Sequence, residues 1–113
     1  MPSYRPESVG KAIQVALSEI LHTETRDPGL SEVTITAVTM SRDLRTARVY
    51  ISVMSGSVAQ TEALDRLMGA ISFLRRALAQ RVQLRHVPEL VFAWDDSITQ
   101  GARIEQLLNN LNT

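Results

Sequence analysis

The stretch from Ser57 to Arg85 limits what this chain can fold into more than any other part of it. Leu64, Leu67, Met68, Ile71, Leu74, Leu78 and Val82 recur at three- and four-residue steps, the pattern of one buried stripe on a helix. Ser57, with Gln60 three residues later, reads as a capping box at its start. An unbroken helix from Val58 to Leu84 would be about 40 Å long at the rise of an α-helix. A domain of 113 residues is only about 35 Å across. The stretch must therefore bend. Gly69, Ala70, Ile71 and Ser72 mark the place, because glycine and serine lower helix propensity and small side chains let backbones approach.

The remaining elements follow from pattern and punctuation. A first helix is expected from Arg5 to Glu24, with Pro6 in its first turn and Val9, Ile13, Ala16, Leu17, Ile20 and Leu21 facing the core. Gly10 is an internal weak point in it, and Asp27-Pro28-Gly29 is a stop and turn. Glu32 to Met40 is a strand whose apolar phase shifts after Ile35, which requires a bulge near Ala37 or burial on both faces. Ser41-Arg42-Asp43-Leu44 connects it to a second strand, Arg45 to Met54. There Ala47, Val49, Ile51 and Val53 face the core, while Arg48 and Tyr50 face water. A third strand runs from Pro88 to Trp94, and Asp95-Asp96-Ser97 leads into a last helix, with Asn109 to Thr113 fraying. The expectation is a single α+β domain over residues 1–113 with helices covering one face of the sheet.

Charge narrows the function. The net formal charge is zero, with twelve cations and twelve acids, but from Arg66 to His86 there are five arginines and no acid. Arg75, Arg76, Arg81 and Arg85, with His86, sit in the second half of the long helical stretch and just beyond it. No Glu or Asp lies four residues away within the helical stretch to neutralise them, as on an ordinary solvated helix face. Arg42, Arg45 and Arg48 form a second basic cluster at the hairpin. Guanidinium groups bind phosphate bidentately and stack on bases, so nucleic-acid binding is the first reading. Enzyme chemistry has less support. Cysteine is absent, and His22 and His86 lie apart with no metal-ligand spacing, so no metal or cofactor site is expected. Asp95-Asp96 suits helix N-terminus electrostatics better than paired carboxylate chemistry. No apolar run approaches the ~20 residues of a membrane span, and zero cysteines agree with a reducing cytoplasm.

Four blocks carry a resemblance along nearly the whole chain. They are RDPGL at Arg26 to Leu30, SRDLRTARVYIS at Ser41 to Ser52, FLRRALAQRVQLRHVPEL at Phe73 to Leu90, and DDSITQGARIEQLL at Asp95 to Leu108. In order and spacing they resemble bacterial ribosome-binding factor A. The resemblance implies a KH-like fold of type II topology, α-β-β-α-kink-α-β plus a C-terminal helix, around a three-stranded sheet. In that family the kink is an Ala-x-Gly motif, matched here by Ala70-Ile71-Ser72 with serine in place of glycine. It implies a non-enzymatic, monomeric, cytoplasmic factor that binds the small (30S) ribosomal subunit and its 16S rRNA, with other assembly factors as further partners. Its role would be late maturation and rRNA processing, with support of growth in the cold. Arg42, Arg45, Arg48, Arg75, Arg76, Arg81, Arg85 and His86 would form the RNA surface. The alternative is a protein–protein adaptor or homodimer that uses the open sheet face around Tyr50 and Met54.

Overall fold

The computed structural model describes residues 5–53 and 60–95, in the order α1 (Pro6–Thr23), α2 (Pro28–Ser31), β1 (Val33–Met40), β2 (Thr46–Val53), α3 (Gln60–Gly69), α4 (Ile71–Arg81) and β3 (Glu89–Trp94). The Ser57 capping box, Met54, and the last helix from Ser97 with its frayed end at 109–113 lie outside the described residues.

Pro6 sits in the first turn of α1, where its missing N–H leaves no bond unmade, and all six apolar positions of the expected stripe are buried. Gly10 proves to be a contact point rather than a weak one. A Cβ built there would lie 2.7 Å from the carbonyl oxygen of Val38, so only glycine lets α1 lie this close to β1. The Asp27-Pro28-Gly29 turn is also more than a stop. Asp27 accepts a hydrogen bond from the Gly29 amide at 2.9 Å and caps the one-turn helix α2.

β1 and β2 are antiparallel, and their register slips between Ile35 and Ala37. This bulge resolves the phase change in the sequence. It turns Val38 and Met40 onto the core side that Val33 and Ile35 already occupy. Gln14 of α1 donates to the Ile35 carbonyl beside the bulge at 3.3 Å. In β2, Ala47, Val49 and Ile51 are fully buried while Arg48 is exposed, as the clean alternation requires.

β3 runs parallel to β2, from Thr46 opposite Glu89 to Ile51 opposite Trp94, giving the sheet order β1-β2-β3. Parallel neighbours need a long crossover, and α3 with α4 supplies it. One straight helix over residues 60–81 would be about 33 Å long. The eight-residue strand it must run back along is about 26 Å. The break absorbs the difference. It falls at Ala70, at φ −98° and ψ 6°, in the sparsely populated region between helix and strand. The Ala70 amide donates to both Arg66 and Leu67 carbonyls at 3.1 Å, which tightens the last turn of α3. Ser72 lies inside α4 and is exposed, so the bend asks nothing of it that glycine would supply.

Leu67, Leu74 and Leu78 are fully buried, as the stripe predicts, together with Ala63, which the pattern passed over. Met68 is the exception: it is 54% exposed, one residue round the helix from the line of Ala63 and Leu67 that α3 buries. Val82 leaves the helix in an extended conformation and is half-buried.

Candidate nucleic-acid interface

The arginines at α4 do not form one surface. Arg81 Nη1 lies 2.6 Å from Glu19 Oε2 and its Nη2 3.2 Å from Glu24 Oε1, so this side chain bridges α4 to α1. The neutralising acids missing from α4 itself are thus supplied by another helix. Arg75 donates to the carbonyls of Val87 at 3.0 Å and Pro88 at 3.3 Å, fastening the α4–β3 connection from one side. Arg76 and Arg85 are exposed and make no ion pair among the described residues.

At the C-terminal end of α4, two chain segments meet. One is the β1–β2 hairpin. There the Asp43 carboxylate accepts from the Ser41 hydroxyl at 2.7 Å and the Arg45 amide at 3.1 Å. These bonds, the Ser41 hydroxyl foremost, hold the Asp43 carboxyl below its usual range. The other segment is the connection from α4 to β3, whose first strand residue, Glu89, donates its amide to the Arg45 carbonyl at 2.8 Å. Between them lies a groove of about 960 Å³, with Leu44, Val82 and Leu84 as apolar wall and Asp43, Arg45, Arg85 and His86 around it. The two basic clusters of the sequence therefore meet, through Arg45, Arg85 and His86. Arg42 is exposed on the same hairpin, and Arg48 on the open sheet face beside Val91 of β3.

The bend lies at the opposite end of α4, about 15 Å from the groove along an eleven-residue helix. The bend and the groove are therefore separate places in the fold. Beside the bend is a smaller groove of about 410 Å³ that includes Arg26, Asp27, Arg66, Gly69 and Phe73. Arg66 is engaged there by Asp27 and, at 2.9 Å, by Glu62, and these carboxylates, Glu62 first, raise its pKa further. Only the four-residue spacing of Glu62 and Arg66 was legible in advance.

The face of the sheet away from the helices carries Tyr50, half-buried beside Ala93. Among the described residues no titratable side chain is buried, and no group of His, Cys, Asp or Glu could hold a metal ion. His86 precedes β3 and Asp95 follows it, so a six-residue strand of about 20 Å separates them. That pair forms no catalytic site. Asp96 lies outside the described residues. No helix among them is long and apolar enough to cross a membrane.

A mixed three-stranded sheet covered by helices on one face, with a broken helical crossover and a groove flanked by cations, defines a small α+β domain of KH-like fold. The chain belongs to the ribosome-binding factor A family, whose model matches residues 5–108. It is 37% identical over 111 residues to ribosome-binding factor A of Desulforamulus reducens, covering 98% of this chain and 92% of that protein. It is similar to the crystal structure of ribosome-binding factor A from Thermus thermophilus, with a TM-score of 0.70, 31% identity, and coverage of 80% of this chain and 96% of that one. A homology model of the Thermus thermophilus factor, fitted into the cryo-EM map of a 30S complex, gives a TM-score of 0.64 at 31% identity, over 77% of this chain and 91% of that one.

Proposed function

We propose that this protein is a non-enzymatic, cytoplasmic assembly factor that binds the small ribosomal subunit through 16S rRNA and acts late in its maturation. In this reading it assists rRNA processing, supports growth in the cold, and works as a monomer beside other assembly factors. The observation that carries the reading is kinship with a factor fitted into a 30S complex. The groove agrees with it, because Arg45, Arg85 and His86 converge on one opening with a single acid among them. Arg42 lies on the same hairpin as Arg45; Arg48, on the open sheet face, and Arg76, on α4, are exposed outside the groove, whereas Arg75 and Arg81 serve the fold.

About three phosphate contacts on single-stranded RNA predict that log K falls by roughly two per decade of salt. The test is co-sedimentation of wild type and an R45E/R85E double variant with precursor small subunits. The folded double variant should be lost from the subunit peak. If it stays there unchanged, this surface is not the one that binds.

A further inference from the structure

Leu44 is the single non-glycine residue with positive φ, 62°, among the described residues. The hairpin needs a left-handed residue before β2 resumes, and glycine meets that need without steric cost. The backbone there is fixed without the leucine side chain. The Leu44 amide donates to the Ser41 carbonyl at 3.0 Å, and the Ser41 amide to the Thr46 carbonyl at 2.9 Å. What leucine adds is a half-buried apolar side chain that packs against the core and, with Val82 and Leu84, presents the wall of the groove. A strained residue that persists where a relaxed one would fit points to a use for its side chain.

A surface that only holds phosphates needs cations and no apolar wall. A nucleotide whose base is out of a helix presents both a flat apolar face and an anion. The groove offers both complements: Leu44, Val82 and Leu84 for the base, and Arg45 and Arg85 for the phosphate. Its volume, about 960 Å³, has ample room for one nucleotide. Resting on the rRNA reading above, we infer that the groove takes an unpaired nucleotide, its base against Leu44 and its phosphate at Arg45 and Arg85. A duplex, with its bases stacked inside, cannot reach the wall.

The test uses the full chain, fluorescence anisotropy and two probes: a short labelled oligouridylate, and a ribose-phosphate oligomer of equal length without bases. Wild type should bind the base-bearing probe about tenfold tighter, on the order of 1.4 kcal/mol. Leu44→Gly trades relief of the left-handed backbone against a lost core contact of similar size, so it should stay folded, bind the abasic probe as wild type does, and lose most of the preference. Leu44→Asn, tolerated in the left-handed region, repeats the measurement should the glycine variant fold poorly. Equal binding of both probes by wild type would assign the apolar wall to a protein partner and overturns the inference. A preference that survives in both variants overturns it too. Binding of neither probe overturns the rRNA reading, and this inference with it.

Discussion

Arg81 and Arg85 are four residues apart and alike in the sequence, yet the fold ion-pairs the first and leaves the second exposed at the groove. Replacing each by alanine should show this. Arg81 holds two carboxylates of α1, at 2.6 and 3.2 Å, with its own side chain 29% exposed and its partners 58% and 39% exposed. Exposed pairs each contribute about 0.2–1 kcal/mol, so with water screening both partners the bridge amounts to about 1 kcal/mol. For a domain of this size that is about 4 °C in melting temperature. Arg81→Ala should lose this much and keep its RNA affinity within about twofold, a change of roughly 0.4 kcal/mol. Its deficit should shrink at high salt, where the bridge is screened in wild type as well. Arg85→Ala removes an exposed side chain that makes no ion pair or hydrogen bond to another group among the described residues, so its stability should stay within about 0.5 kcal/mol. Its RNA affinity should fall about fivefold, close to 1 kcal/mol, and its salt slope should flatten by about 0.7. Circular dichroism melts and anisotropy over a salt series read both quantities. If Arg81→Ala lost RNA binding at an unchanged melting temperature, the division of labour described here would be wrong.

Two further outcomes test the fold itself. Gly10→Ala should gain about 1 kcal/mol of helix propensity but force a Cβ to 2.7 Å from a backbone oxygen. Overpacking of that kind costs up to about 3 kcal/mol. The net loss should therefore be about 2 kcal/mol, near 8 °C, and a raised melting temperature would show that α1 does not press on β1 at this point. The hydrogen bonds from the Ser41 hydroxyl and the Arg45 amide lower the Asp43 pKa in the folded chain, so the ionised form is the one that folding favours. Its contribution is complete above the unfolded value and is lost as pH falls through the folded one. The melting-temperature difference between wild type and Asp43→Asn should hold steady above the ordinary carboxylate range and shrink as pH falls through and below it. A difference independent of pH would deny the Ser41–Asp43–Arg45 hydrogen bonds their role in the hairpin.

Sequence reasoning was most reliable where one period decides. The α1 stripe, the alternation of β2 and the need for a break in 57–85 all follow from local spacing, and the structure shows each within a residue or two. It failed where a partner came from elsewhere in the chain. Arg81 looked uncompensated because Glu19 and Glu24 lie on and at the end of another helix, and Arg75 because its acceptors are backbone carbonyls that carry no sequence signal. Gly10 looked like a flaw because the Val38 carbonyl that explains it lies 28 positions away. Met68 matched the apolar spacing, but α3 buries the neighbouring line of Ala63 and Leu67 instead. The groove could not be read in advance at all, since its two sides meet only through the register of β2 with β3.

That register reaches beyond geometry. The hairpin side of the groove can form early, from residues close in the chain. The other side arrives only when β3 has crossed over and seated its first amide on the Arg45 carbonyl. Closing such a non-local parallel contact is a slow part of folding. A ligand held between the two sides therefore binds the finished fold and nothing short of it, and at saturating concentration it stabilises that fold by mass action. A chain that has not completed its sheet cannot occupy the site, so the groove excludes half-folded molecules from whatever assembly it serves.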